Sequence, residues 1–392
     1  MALFQEADGD PRVAPDRLAD VLTYYGAVGD SAAGHVFGFS MRKAALARSI
    51  AEGIGVAPTL LDAVAIAGSL HAVGALGNPA LIRGSDLPER LAILERGDIP
   101  ASGARICAAL GALPASCSDI VRWQAEAWDG TGFPDQIRWN GIPTESVALA
   151  LADLLARAHD PEEALATVAA EAGRSFGPEH ARAFMLWFHR TGGEVPPLPF
   201  PREALIPETN EAGALLLEIA DRIDNHLGVP GRVPSVMRLA NSTARTLQCD
   251  KDETEALRIA VACFGAGELH AAQESPLDPL VRLGLERRAE QSRCAAELIE
   301  RSPSLASAVP ILASRAEWFD GTGKPSGRSH DEIPVGSRIL ATTIAYQALD
   351  VEARARPSDR RATPAERLDA AAGTQFDPRV VNAVLDAAKA RA

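Results

Sequence analysis

The chain has 392 residues, 47% of them hydrophobic and 23% charged, which suits a soluble protein of two ordinary domains, each with its own core. Its 39 basic and 52 acidic residues leave a net charge of −13, a surface that repels a phosphate backbone and argues against direct nucleic-acid binding. No apolar run is long enough to cross a bilayer, and the opening MALFQEADGDPR lacks the basic-then-apolar layout of a signal peptide. Residence in the cytoplasm away from any membrane is expected.

In chain order, DRLADVLTYYG (16–26) reads as a lead-in helix, and HVFGFSMRKAALARSIAEGIG (35–55) repeats its apolar residues at helical spacing. GSLHAVGALG (68–77) follows, then the Gly-rich knuckle EAWDGTGFP (126–134), Ile142-Pro143 with a helical stretch, and GRSFGPEHARAF (173–184). GGEVPPLPFPREALIPE (192–208) cannot continue a helix, because its prolines lack amide donors and fix φ, so it reads as a semi-rigid connector.

The same marks then return in the same order. They are ALLLEIADRIDNHLG (214–228), PSVMRLANSTARTL (234–247), ACFGAGELHA (262–271), EWFDGTGKP (317–325), Ile333-Pro334 with SRILATTIAYQAL, and GTQFDPRVVNAV (373–384). The chain is therefore read as a tandem duplication. It is expected to be all-α, with one helical domain over 1–191, a Pro-rich linker over 192–208 and a second helical domain over 209–392. Aromatic residues make up only 5%, which favours packed helices over sheet. The five scattered cysteines show no CxxC spacing and are expected to be reduced thiols in helix cores.

Each knuckle has a plain local role. Two glycines bracketing a threonine permit positive φ and a tight turn, and the following proline forces an extended exit. Asp129, Gly130, Thr131, Gly132 and Pro134 are the structural set in the first copy. Asp320, Gly321, Thr322, Gly323 and Pro325 are the set in the second. A Gly-rich loop can also cradle a phosphate, so Asp129, Gly130 and Gly132 are carried as candidate ligand contacts.

The order of these motifs resembles the HD-GYP family, helical metal-dependent phosphohydrolases that open cyclic di-GMP. The likeness covers nearly all of both halves and is most literal in FDGTGKP, IPVGSRILA and AAGTQFDPRVV. It implies two or three iron or manganese ions held by His and carboxylate ligands around a bridging water, with a nearby Lys.

Position by position, the resemblance places the helix-borne His on His35 and the His of the HD pair on His71. The paired Asp is Ala72, the Lys is Ala75, and an intervening His falls near Ile99. The two histidines before Glu126 read Gln124 and Ala125, and the late Asp survives as Asp153. His35, His71 and Asp153 would be the remains of a single-metal site. In the second half the HD pair is Phe264-Gly265, the Lys is Glu268, the intervening His is Gln291, the paired histidines are Arg315 and Ala316, and the late Asp is Ile344. Only Glu317 persists there, and no metal site is expected.

Arg315, Arg338 and Lys324 lie near the second knuckle. An Arg in place of a ligand His could fill the metal void with its own positive charge or pair bidentately with a phosphate; otherwise these residues belong to internal salt bridges, with Glu317 or Asp320 the expected partner of Arg315. The basic run EARARPSDRR (352–361) is either a solvated loop or one that touches a phosphate or a partner.

The resemblance with its missing ligands implies a regulatory pseudoenzyme. It would bind a protein partner, a second copy of itself, or a nucleotide such as cyclic di-GMP, and it would need no cofactor. One alternative is a phosphohydrolase working through a single iron or manganese ion in the first domain. Another is an interaction module with no ligand.

Overall fold

The computed structural model describes residues 18–36, 38–77, 98–110, 113–194, 211–274, 284–355 and 362–390. The proposed linker lies outside them from position 195 onward, and the basic run lies outside them from position 356. The described residues are helical and contain no strand, only the isolated bridges Ala172–Phe176 and Ala372–Phe376. Leu22–Glu208 form one compact unit, and Met1–Val21 group with Thr209–Ala392 in the other.

The first unit holds α1 (Leu18–Ala33, from Leu22 on), α2 (Phe39–Gly53), α3 (Leu61–Ser69), α4 (Asp98–Ala109), α5 (Ser116–Arg122), α6 (Thr144–Arg157), α7 (Pro161–Ala170) and α8 (Pro178–Thr191). The second holds α9 (Glu211–Leu227), α10 (Arg232–Thr246), α11 (Lys251–Glu274), α12 (Leu285–Glu300), α13 (Val309–Ala313), α14 (Val335–Ala355), α15 (Pro364–Asp369) and α16 (Pro378–Lys389). No described helix is long and apolar enough to cross a membrane. All five cysteines are free, and four of them are buried.

The second long helix of each unit starts in the same way. Gly38 and Gly231 take left-handed φ values of 84° and 76°, turning the chain sharply into α2 and α10. Neither helix carries its own side-chain cap. A buried carboxylate on the preceding helix supplies it instead: Asp30 Oδ2 accepts from the Ser40 N–H at 2.9 Å, and Asp224 Oδ2 from the Val233 N–H at 2.7 Å. An otherwise orphaned helical donor is satisfied from another element, which fixes the angle between the two helices. The apolar stripe of α2 then runs through Phe39, Leu46, Ala47 and Ile50 into the core. Lys43 sits on that same buried stripe.

Candidate functional site

The two knuckles are built alike. Asp129 Oδ1 accepts from the N–H and the hydroxyl of Thr131, at 2.9 and 2.6 Å, and Asp320 Oδ1 holds Thr322 at 2.9 and 2.7 Å. Gly130 and Gly321 have φ of 79° and 86°, and the peptides before Pro134 and Pro325 are cis. A Cβ on Gly132 or Gly323 would collide with the backbone of residues 126–127 or 317–318, so the second glycine is a matter of close approach. The Asp129 and Asp320 N–H groups donate to Arg174 O and Thr374 O, at 2.9 and 3.0 Å, tying each turn to the segment that precedes the last helix of its unit.

Glu126 and Glu317, which the resemblance places just after the lost histidine pair, brace these turns. Glu126 Oε1 accepts from the N–H groups of Asp135 and Gln136 at 2.6 and 3.0 Å, and Glu317 Oε1 accepts from that of Ser326 at 2.7 Å. Both side chains are buried, and the loops they close explain why these acids outlast their neighbours.

In the first unit, His35, His71 and Asp153 do come together. The His35 and His71 rings stack with centroids 5.6 Å apart, and the Phe39 ring lies 4.6 Å from that of His35. One expectation is corrected: His35 is not on a helix but in the turn between α1 and α2, because the left-handed Gly38 delays the start of α2 until Phe39.

The centre of this group is taken by Lys43, which the motif comparison passes over. Its ammonium donates to Asp153 Oδ1 at 2.8 Å and to Gln124 Oε1 at 3.1 Å, with only 3% of the side chain exposed. Gln124 in turn donates through Nε2 to the carbonyls of His71 and Val121, each at 3.1 Å. Asp153's other oxygen accepts from Arg157 Nε at 2.6 Å, and Arg157 Nη2 lies 3.5 Å from His35 Nε2. A guanidinium only donates, so that His35 nitrogen accepts. A lysine on the apolar stripe of α2 was the signal available in the sequence, since a buried ammonium needs a buried carboxylate.

The electrostatics follow from this burial. Burial works against ionisation of Asp153, but Lys43 and Arg157 overcome it and hold the carboxyl well below the usual range. Burial also lowers the pKa of Lys43, with Asp153 pulling it back up. His71 Nδ1 lies 3.0 Å from Gly68 O, which fixes the N–H there and leaves a buried Nε2 without a protein partner. Burial, reinforced by Lys43, keeps His71 neutral far below its ordinary range. Burial and then Arg157 push His35 down to about 4, while burial raises Asp30 to about 7.

Two histidines that are neutral when folded must charge when unfolded, so their contribution is present above about pH 6.5 and lost as the pH falls toward 4. Asp30 acts in the opposite sense, favouring the folded state below its unfolded value of 3.8 and losing that advantage as the pH rises to about 7. Urea midpoints should therefore fall from pH 7 to 4.5, and fall more steeply in Asp30→Asn. A flat profile in both proteins would contradict the buried neutral histidines.

The second unit places its charges differently, with Glu268 and Arg315 where the first has Ala75 and Gln124, and Ile344 where the first has Asp153. Glu268, in place of the lysine, accepts from Arg232 Nη1 at 2.6 Å and faces Arg315 Nη1 at 3.6 Å. Arg232 also pairs with Asp224 at 2.8 Å, and both guanidiniums lie over the Phe264 ring, at 4.6 and 5.7 Å. Burial disfavours the charge on Arg232, but Glu268 and Asp224 outweigh it and raise its pKa.

The expected partner of Arg315 is corrected: its ion pair is with Glu268, not Glu317 or Asp320. One oxygen of Glu317 closes its loop through the Ser326 N–H, and one of Asp320 holds Thr322. Arg315 is also buried, with 8% of its side chain exposed, and so presents no face to an outside phosphate. Arg338 is held by Asp377 at 2.7 Å and Asp331 at 2.9 Å, beside a small crevice lined by Glu317, Phe319, Ser337 and Gln375. Lys324 is exposed, 3.5 Å from Glu286. Arg315, Arg338 and Lys324 thus pair with different acids: Glu268, Asp377 with Asp331, and Glu286.

The helical architecture and the paired turns agree with a family model described as an HD domain, which matches residues 30–179 and again 214–380. The chain belongs to the HD domain family. Among solved structures, this HD domain protein is similar to a cyclic GMP-AMP specific phosphodiesterase from V. cholerae. The TM-score is 0.61 at 18% identity, over 95% of this chain and 97% of that one, a likeness of fold. No curated protein matches the chain.

The side chains present do not fit the metal centre that the resemblance implies. The orphaned His71 Nε2 suits a ligand, but both oxygens of Asp153 are engaged by side-chain cations, His35 Nε2 faces a guanidinium, and Ala72 offers no carboxylate. Among the described residues, no group of three or more His, Cys, Asp or Glu is arranged to hold an ion. A divalent cation would have to displace two positive charges to reach Asp153.

Proposed function

We propose that this HD domain protein is a regulatory pseudoenzyme of the cytoplasm, which does not hydrolyse phosphodiesters and acts by binding. The observation that carries this reading is the Lys43 ammonium on Asp153, the late Asp of the ancestral set, whose counterpart in the second unit is Ile344. A hydroxide nucleophile generated at neutral pH needs a Lewis acid held by carboxylate and imidazole. Here the carboxylate is already neutralised from within. The second unit supports the same reading with Phe264, Gly265, Glu268, Arg315 and Ile344 at the ligand and lysine positions.

What is bound is a protein partner, a second copy of the chain, or a cyclic dinucleotide, a class that includes the cyclic GMP-AMP for which the structural neighbour from V. cholerae is specific. The purified protein, incubated with cyclic di-GMP or cyclic GMP-AMP and Mn²⁺ or Fe²⁺, should give no linear product. Calorimetry with the same two nucleotides then separates a nucleotide-binding protein from one that recognises protein alone. Turnover that disappears in His71→Ala would overturn the reading.

A further inference from the structure

We propose that the two units carry resident side-chain cations in the structural place of metal ions: Lys43 in the first, and Arg232 with Arg315 in the second. This rests on the reading of the chain as a non-hydrolytic HD domain protein. It adds that the lost ions were replaced by charges that hold the elements together.

Each cation bridges elements that the fold brings to one point. Lys43, on α2, reaches Asp153 on α6 and Gln124 just after α5. Arg232, the first residue of α10, reaches Asp224 on α9 and Glu268 on α11. Arg315, after α13, faces Glu268 on α11 while its Nε donates to Ser292 Oγ on α12 at 3.4 Å. None of these contacts is a loose surface pair, since the cationic side chains are between 3% and 10% exposed. A fully desolvated cation that meets two acceptors on different elements does mechanically what a structural ion does.

The two solutions differ in kind. The first unit keeps the inherited Asp153 and brings an ammonium to it. The second has lost that carboxylate to Ile344, acquired Glu268 at the lysine position, and answers it with two guanidiniums. A merely tolerated leftover would not need a counter-charge newly built on other elements.

The test uses the full-length protein and reads metal content and melting temperature rather than activity. Wild type should purify without stoichiometric iron or manganese, and its Tm should be the same with and without EDTA. Lys43→Met should lower the Tm by about 5 °C or more, because the half-buried Asp153 loses its buried ammonium and keeps only the more exposed Arg157. Adding Asp153→Leu to it should recover part of that loss. Lys43→Ala combined with Ala72→Asp should take up one Mn²⁺ or Co²⁺ per chain and gain Tm on adding it, a response that wild type lacks. If either Lys43 variant fails to fold, Arg315→Met reads the second unit with the same expected fall.

Wild type that itself gains Tm with Mn²⁺, or Lys43→Met and Arg315→Met that both melt like wild type, would overturn the proposal. The latter result would leave the non-hydrolytic reading standing, and cyclic dinucleotide turnover by wild type would remove that reading instead.

Discussion

Asp224→Ala should destabilise the second unit by about 3–5 kcal/mol, the range for breaking a buried ion pair from one side. Asp224 is fully buried, and its carboxylate does two jobs. One oxygen pairs with the Arg232 guanidinium at 2.8 Å, and the other caps the Val233 N–H at 2.7 Å. Removing it leaves a buried guanidinium short of one partner and a helical donor short of its acceptor. Asp224→Asn keeps an acceptor for the cap and should fall between wild type and alanine. The measurement is the urea midpoint of the second unit's transition, with its m-value unchanged. Alanine and asparagine losing equally would mean that the charge, not the cap, carries the effect.

Gly267→Ala is expected to cost about 3 kcal/mol or more, through overpacking rather than lost contacts. A Cβ on Gly267 would be driven into the Gln291 carbonyl oxygen and within 2.9 Å of the Ala295 nitrogen, so α11 and α12 would have to separate. Gly74 stands at the matching position of the first unit, where a Cβ would meet the Ile99 carbonyl and approach the Gly103 nitrogen at 2.6 Å. Gly74→Ala should behave alike, whereas Gly284→Ala, with extended backbone and nothing within 4 Å, should change little. Thermal or urea unfolding of the three variants decides this, and a neutral Gly267→Ala would show that the helices can slide apart freely. The pairs Gly74–Ile99 and Gly267–Gln291 also show why this glycine persists in both halves while the His, Asp and Lys around it do not. It serves the crossing of two backbones, which the chemistry of the cleft does not affect.

The duplicated all-helical fold was legible because its evidence is periodic and repeated: apolar spacing along α2 and α10, and two DGTG turns with matching flanks. The convergence of His35, His71 and Asp153 was legible from the order of motifs. The charge network was not. A lysine on the buried stripe of α2 signals that some carboxylate must meet it, but nothing local says which one, and the partner lies 110 residues away. Arg315 was misassigned for the same reason. Glu317 and Asp320 are its neighbours in sequence, but the acid that meets it is Glu268 on α11, which also holds Arg232. Ion pairs between elements are set by tertiary distance, which motif spacing does not encode.

The separation of each cation from its carboxylate has a consequence for the two halves as parts. In the first unit the charge sits on α2 and its counter-charge on α6, while in the second they sit on α10 and on α9 and α11. A helix moved from one half to its counterpart would arrive with half of a pair. With α10 in the place of α2, an arginine would face Ala75 where Glu268 should stand, and Asp153 would lose its ammonium. The halves share an outline and a turn, but after duplication their interiors became mutually untranslatable, and each helix now fits only the half in which it evolved.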